Sequence, residues 1–408
     1  MKCGLLGRKL GHSYSPQIHA YLGSYSYELF EKEPEDLESF LRSGDFSGIN
    51  VTIPYKKDVI PFLDALSPTA RKLGAVNTVV RRDDGTLFGH NTDYFGFSSM
   101  VKKSGLDVAG KKVLVLGSGG ASNTAVAVLA ELGARVVIIS RSGENNYDNL
   151  CLHTDAAVVV NTTPVGMYPN TGVAPVDLSL FPALEGVLDV VYNPARTQLL
   201  LDAEERGLIT ENGLWMLVAQ AKEASEYFTG TSLPDSLISE IHRKLTATMQ
   251  NIVLIGMPGC GKTTLAGILG KKLSRTVMDA DTEIIRLAGK SIPAIFSQDG
   301  EEAFRDLETE ALAQLGKQSG LIIATGGGCV TKPRNYPLLH QNSRIFWLQR
   351  DLQNLPTTGR PLSQSGNLAD MYALREPMYR QFSDHIIDNN RSMEETLDQI
   401  LAALEETP

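Results

Sequence analysis

The stretch NIVLIGMPGCGKTT, residues 251–264, constrains this chain more than any other. Its apolar run reads as a buried β-strand, and it leads into Gly256, Gly261, Lys262 and Thr263, which meet the spacing G-x-x-x-x-G-K-[ST] in full. Glycines at such a turn let successive backbone N–H groups converge on phosphate oxygens. A lysine there adds charge toward the outer phosphates, and a threonine hydroxyl can ligate Mg²⁺. The helix-like TLAGILGKKL that follows completes a strand, turn and helix, so an α/β domain with a parallel sheet is expected over 249–408. Gly259, Cys260, Gly261, Lys262, Thr263 and Thr264 make up its expected ATP-binding turn.

The loop comes late because another unit precedes it. KKVLVLGSGGASNTAVAVLAELGARVVIISRS is a second strand, glycine turn and helix, with Gly117, Gly119 and Gly120 close to G-x-G-x-x-G/A and Ser122 in the last place. An NAD site would carry an acidic residue at the end of the next strand, for the ribose 2′-OH. Ser140 and Arg141 stand there instead and suit a 2′-phosphate, so NADP(H) is expected over NAD. LPDSLISEIHRKL reads as a helix from about Pro234 to about Leu245, with a few polar residues before the late domain. Residues 1–92 and 214–246 are expected to form a substrate lobe and 93–213 a Rossmann-like NADP lobe.

Composition narrows the functions. A net charge of −9 and a pI near 5.4 argue against a general nucleic-acid or anionic-membrane binder. Four scattered cysteines without C-x-x-C spacing indicate neither a zinc site nor a disulfide framework. The N-terminus lacks a signal-peptide core and no apolar run is long enough to span a membrane, so a cytoplasmic protein is expected. Oligomeric state stays open.

The first half sets polar residues in apolar company. Ser13 and Ser15 are two apart, so that in an extended loop both hydroxyls face one anion. Asn50, Thr52 and Lys56 lie at and after a strand end in GINVTIPYKK, and Asn77, Asn91 and Asp93 follow in GAVNTVV and GHNTDYFGF. Together with VNTTPVGM, DVVYNPARTQLL and GLWMLVAQA, these runs resemble the shikimate dehydrogenase family along nearly all of residues 1–245. The resemblance implies that Ser13 and Ser15 bind a carboxylate and that Thr52, Asn77, Asp93, Tyr192 and Gln220 reach the ring substituents. It also implies that Lys56 and Asp93 carry the chemistry, and that Ala121, Met167 and Gly213 join the glycine turn around NADP. The segment 141–156 is short where a full helix and strand usually follow, so the NADP lobe is expected to be trimmed there.

The late domain has four further features. MDADTEI places Asp279 and Asp281 on alternate residues of a strand end; one suits Mg²⁺ and the other an acceptor hydroxyl. GEEAFRDLE puts Arg305 and Glu308 one helical turn apart, ATGGGCV supplies Gly326, Gly327 and Gly328, and LREPMYR supplies Arg375. In this order they resemble the shikimate kinase family from Met249 to about Asn389. By that resemblance Asp281 activates the hydroxyl, Arg305 and Arg375 hold the carboxylate, the glycines line the acceptor pocket, and Arg360 closes over the phosphates; Thr263 and Asp279 serve the metal. The loop NLPTTG is short and lacks an arginine that many relatives set against the adenine.

The expected protein is thus bifunctional, making shikimate from 3-dehydroshikimate and then phosphorylating it. Two alternatives stand beside that reading: a quinate/shikimate dehydrogenase fused to a kinase, and a non-catalytic sensor resembling quinate repressors. Intact Lys56, Asp93, Lys262, Thr263 and Asp281 speak against the sensor, which needs binding without proton or phosphoryl transfer.

Overall fold

A computed structural model describes residues 1–11, 13–355 and 368–405. The chain divides into two compact units: Met1–Gly166 with Ala174–Tyr192 and Asp202–Lys244, and Met167–Val173 with Asn193–Leu201 and Leu245–Pro408. Among the described residues, no helix is long and apolar enough to cross a membrane.

The first sheet contains β1 (Lys2–Gly7), β2 (Ser26–Glu31), β3 (Gly48–Val51), β4 (Ala65–Leu66), β5 (Thr78–Arg81) and β6 (Leu87–His90), in the order β2-β1-β3-β5-β6-β4. β1 runs parallel to β2 and β3, whereas β5 is antiparallel to β3 and β6. All four residues of β3 are buried, so Asn50 inside it needs partners. It finds them in the Thr78 hydroxyl at 3.1 Å and the Tyr27 phenol at 2.7 Å.

The second sheet is wholly parallel: β7 (Lys112–Leu116), β8 (Arg135–Ile139), β9 (Val158–Asn161), β10 (Gly186–Asp189) and β11 (Ile209–Asn212), in the order β11-β10-β9-β7-β8. The near-continuous apolar runs of β7, β9 and β10 suit strands covered on both faces. Against the usual doubly wound order 3-2-1-4-5-6, β8 stands in place 2 and no strand fills place 3 among the described residues. The expected trimming is therefore real. Between β8 and β9 the only helical element is the short turn Leu150–His153. Asparagines close this connection on itself: Asn149 Oδ1 accepts from the Asn146 N–H at 2.8 Å, and Asn149 Nδ2 donates to the Glu144 carbonyl at 2.9 Å.

The third sheet, also parallel, holds β12 (Asn251–Ile255), β13 (Val277–Asp279), β14 (Ile322–Ala324), β15 (Ser343–Gln349) and β16 (His385–Asp388), in the order β13-β14-β12-β15-β16. Central β12 is completely buried and points the phosphate loop out of its C-terminal end.

The helix expected to stop near Leu245 runs instead from Ser236 to Met249, and the polar linker does not exist. Leu245 and Met249, one turn apart on this helix, are both buried, and the Met249 carbonyl accepts from the Gly320 N–H at 2.9 Å. Tertiary contacts thus carry the helix past its polar Thr-Ala-Thr stretch.

Candidate active sites

In the first unit the β5–β6 hairpin builds the polar cluster. Its register sets Thr78 opposite His90, which brings Asn77, just before β5, beside Thr92, just after β6. Asn77 Oδ1 accepts from the Thr92 N–H at 2.7 Å, and Asn77 Nδ2 donates to Asp93 Oδ1 at 2.9 Å. The other carboxylate oxygen, Oδ2, holds Lys56 Nζ at 2.5 Å. Asp93 is the first residue of the helix Asp93–Ser104, where free N–H groups and the helix dipole favour a negative charge. Gln220, on the helix Leu214–Thr229, joins through the Thr92 hydroxyl at 3.4 Å. Thr52 follows β3 directly, its N–H bonded to the Leu6 carbonyl at 2.9 Å.

The serine pair is arranged differently from expectation. Ser15 opens the helix Ser15–Leu22 and is buried, and its N–H donates to Ser13 Oγ at 3.2 Å. The segment is turned, not extended, because Pro16 favours the start of a helix there. Tyr14 between the serines packs edge-on against Tyr192, with centroids 6.2 Å apart, which places Tyr192 beside the pair. Burial pushes the Tyr192 hydroxyl above its usual pKa. Sequence reading missed a second layer: His19 stacks on Tyr27 at 4.0 Å and meets the Tyr25 hydroxyl at 2.7 Å, and Tyr25 donates to Ser225 at 2.8 Å. Burial pushes the His19 imidazole down to about 3, so it is neutral at pH 7.

In the parallel sheet, the turn after β7 and the loop after β9 flank the point where strand order reverses, the usual place for a ligand in such folds. Gly117 has φ 112°, and a Cβ there would stand 2.8 Å from Thr162 Oγ1. Gly119 and Gly120 have open space where a side chain would stand, directly at the N-terminus of the helix Gly120–Glu131, which includes Ala121. Backbone N–H groups and open space at a helix N-terminus fit a pyrophosphate. Ser122, in the place of the motif's last glycine, donates to the Gly117 carbonyl at 2.8 Å and so closes the turn. Ser140 and the exposed Arg141 follow the end of β8. Gly213 is required by packing, because a Cβ would collide with the Val190 carbonyl. Met167 is exposed and lies on the loop that follows β9.

In the second unit a single cavity of about 480 Å³ collects the expected residues. Its floor is the phosphate loop, Gly259 to Thr264, except Cys260, which is fully buried and whose carbonyl takes a hydrogen bond from Asn389 at 2.5 Å. Lys262 Nζ lies over the loop, bonded to the Gly256 and Met257 carbonyls at 2.8 and 3.0 Å. Thr263 Oγ1 donates to Asp279 Oδ2 at 2.9 Å, so a hydroxyl and a carboxylate suited to Mg²⁺ meet at one point. Asp279 ends β13, but Asp281 is not on the strand. Asp279 Oδ1 caps the helix Ala280–Ala288, accepting from the Asp281 N–H at 2.9 Å, and this cap turns Asp281 into the first helical turn.

Arg305, Glu308, Arg375 and Gly326 to Gly328 form the opposite wall. Arg305 is 3% exposed, with Nη1 on Glu308 Oε2 at 2.7 Å and Nη2 on Glu301 Oε1 at 3.1 Å. Burial lifts the fully buried Glu308 carboxyl above its ordinary pKa even though Arg305 pulls it down, and the nearby Asp281 adds to the rise. Arg375 Nη1 donates to the Gly327 carbonyl at 3.1 Å, and Tyr379 donates to the same oxygen. The triple glycine is where the protein's own groups close in: a Cβ at Gly326 would stand 2.7 Å from Glu308 Oε1, and one at Gly328 would collide with the Arg305 guanidinium. Ile292, Phe296 and Phe304 add an apolar wall that sequence reading mostly missed, its signal being the apolar spacing of two adjacent helices. Arg360 lies outside the described residues.

By fold and site, this is a protein with a dinucleotide-type α/β lobe beside a polar substrate lobe, followed by a phosphate-loop domain with its own acceptor cavity. Known proteins agree. The family model for the shikimate dehydrogenase substrate binding domain matches residues 5–79, and that for shikimate kinase matches residues 258–405. A shikimate dehydrogenase (NADP⁺) of Clostridium perfringens is 36% identical over 264 residues, covering 59% of this chain and 97% of that protein. The solved chorismate mutase/shikimate 5-dehydrogenase fusion of Clostridium acetobutylicum is 35% identical, with a TM-score of 0.57 over 60% of this chain and 96% of that one. Shikimate 5-dehydrogenase of Thermus thermophilus, solved with NADP(H) and shikimate, is 32% identical, with a TM-score of 0.54 over 60% and 99%. The chain belongs to the shikimate dehydrogenase family and carries a shikimate kinase domain at its C-terminal end.

Proposed function

We propose that the chain reduces 3-dehydroshikimate to shikimate with NADPH in its first unit and phosphorylates shikimate at its 3-hydroxyl with ATP and Mg²⁺ in its second. The observation that carries this reading is that each unit assembles a reactive acid and base from its own residues. Asp93 holds Lys56 at 2.5 Å in one, and Asp281 shares a cavity with the phosphate loop and two buried arginines in the other. The expected lobes, 1–92 with 214–246 and 93–213, remain our assignment of the first unit, with 249–408 as the kinase domain. Four unpaired cysteines fit a reducing cytoplasm.

NADPH supplies the hydride and ATP the phosphoryl group, while Mg²⁺ neutralises charge on the phosphates. In the reduction the carbonyl π bond opens toward oxygen. The Lys56 ammonium stabilises that oxygen and gives it a proton, becoming a neutral amine. Asp93, fixed by Asn77, keeps Nζ in place. Ser13 and Ser15 bind the substrate carboxylate, and Thr52, Asn77, Tyr192 and Gln220 hold the ring oxygens. Gly117, Gly119, Gly120, Ala121, Met167 and Gly213 shape the NADP site, with Ser140 and Arg141 on its 2′-phosphate.

In the second unit Asp281 takes the proton of the shikimate hydroxyl as its oxygen bonds to the terminal phosphorus and the bond to the leaving phosphate oxygen breaks. Arg305 and Arg375 suit the carboxylate as planar forks, and Glu308 and Glu301 keep Arg305 aimed. Lys262 offsets phosphate charge and Thr263 and Asp279 would hold Mg²⁺, while Arg360 is assigned to the phosphates by family resemblance alone. The test is a pair of selective losses: Lys262→Ala or Asp281→Asn removes phosphorylation of added shikimate and leaves NADPH oxidation intact. Loss of both activities in a folded variant contradicts two independent sites.

A further inference from the structure

A second cavity of the first unit, about 450 Å³, shares no lining residue with the Lys56 and Asp93 cluster. It lies among β6, the start of the helix Asp93–Ser104 and the last turns of the helix Leu214–Thr229, and it is lined by Phe88, His90, Asn91, Phe95, Glu223 and Tyr227, among others. Two buried polar atoms among its lining residues lack a hydrogen-bond partner among the described residues. Asn91 is 6% exposed; its amide nitrogen donates to the Ala75 carbonyl at 3.0 Å, while Oδ1 has no partner among the described residues. His90 Nδ1 is likewise buried without a partner, and the ring stacks on Tyr227 at 3.6 Å. Burial pushes the His90 pKa down to about 4, so the ring is neutral at pH 7.

The Glu223 side chain makes no hydrogen bond or ion pair among the described residues, and its sequence neighbour Lys222 pairs with Glu226 at 3.0 Å and Asp235 at 2.9 Å. Burial pushes the Glu223 carboxyl up to about 7, with Glu226 adding to the rise and Lys222 opposing it. A carboxyl held this way gains from any cation brought to it. An anion gains nothing from the Glu223 carboxylate, and a neutral body with one hydroxyl brings at most one donor to the carboxylate and the two unpartnered acceptors, where a primary ammonium brings three.

We propose that this cavity binds a small organic cation, a primary ammonium on an aromatic or compact apolar body, which is not a substrate of either reaction. The ammonium places its three N–H donors among Glu223, Asn91 Oδ1 and His90 Nδ1, and the body lies against Phe95 and Tyr227. Asp93 is two residues beyond Asn91 and Gln220 three before Glu223, so the ligand sits on the two helices that carry the reduction site.

The probe is benzylammonium, titrated calorimetrically into the full chain beside benzyl alcohol, its neutral counterpart of the same shape. Benzylammonium should bind saturably in the millimolar range, as suits so small a ligand. Benzyl alcohol should bind at least about tenfold more weakly, and Glu223→Gln should weaken benzylammonium by about tenfold or more while NADPH oxidation shows the variant to be folded. Equal binding of the alcohol, unchanged binding to Glu223→Gln, or no binding of benzylammonium overturns the proposal. The first comparison uses the natural chain and does not depend on how the variant folds.

Discussion

Replacing Lys56 with methionine keeps most of the stem and removes the ammonium. Nζ lies 2.5 Å from Asp93 Oδ2 and the pair is partly shielded, with side chains 28% and 14% exposed. Losing one positioned stabiliser of a developing oxyanion costs about 2.7–4 kcal/mol, or about 10²–10³ in kcat. Lys56 also gives the proton, so the upper part of that range is expected for NADPH oxidation with 3-dehydroshikimate. The fold should tolerate the change. Asp93 keeps Asn77 Nδ2 at 2.9 Å and its place at a helix N-terminus, which limits the cost of leaving its carboxylate without Lys56. Phosphorylation of added shikimate, measured on the same preparation, is the internal control. If kcat stays within a few-fold and only KM rises, Lys56 binds substrate without serving the chemistry, and the reasoning is refuted.

Arg141→Ala should narrow the NADPH over NADH preference by about ten- to a hundredfold, chiefly through weaker use of NADPH; an unchanged ratio shows that other residues read the 2′-phosphate. Gly328→Ala drives a Cβ into the Arg305 guanidinium, which Glu308 and Glu301 pin at 2.7 and 3.1 Å, so shikimate KM in the kinase reaction should rise about tenfold or more with ATP binding retained. Unaltered shikimate KM would mean that Arg305 does not hold the acceptor. His19 is neutral in the folded chain down to about pH 3, whereas unfolded it protonates near 6.5, so the unfolded state binds the extra proton between these values. This group therefore removes stability as pH falls from about 6.5 toward 3, by up to ~1.4 kcal/mol per pH unit. Urea unfolding of His19→Phe at about pH 6 and about pH 5 should show that much less acid dependence, and an identical slope contradicts the assignment.

The phosphate loop was legible because its chemistry is local: strand, turn and helix N-terminus occupy adjacent residues, and backbone geometry leaves little choice of residue type. The missing strand beside β8 was legible for a similar reason, since the asparagine-rich stretch is too short to make one. Lys56 and Asp93 are 37 residues apart, and only family resemblance joined them in the sequence. A physical signal was present in the Asp83-Asp84-Gly85 turn, which marks the β5–β6 hairpin and so fixes Asn77 beside Thr92 and Asp93. Three readings failed where a side chain redirected the backbone or packing overrode propensity. Asp279 caps a helix and takes Asp281 off the strand, Ser13 and Pro16 start a helix where an extended loop was expected, and burial of Leu245 and Met249 prolongs a helix through threonines. Glu301 and Tyr379, which support Arg305 and Gly327, carry no motif at all and emerge only from three-dimensional contact.

The presence of both activities in one chain is tested most directly by a single incubation with 3-dehydroshikimate, NADPH, ATP and Mg²⁺, following NADPH and ADP together. NADPH should fall at once and ADP should appear after a lag as shikimate accumulates, approaching one ADP per NADPH oxidised, and omitting NADPH should abolish ADP formation. NADPH loss without ADP, or ADP formation that does not depend on NADPH, would contradict the proposed sequence of reduction followed by phosphorylation.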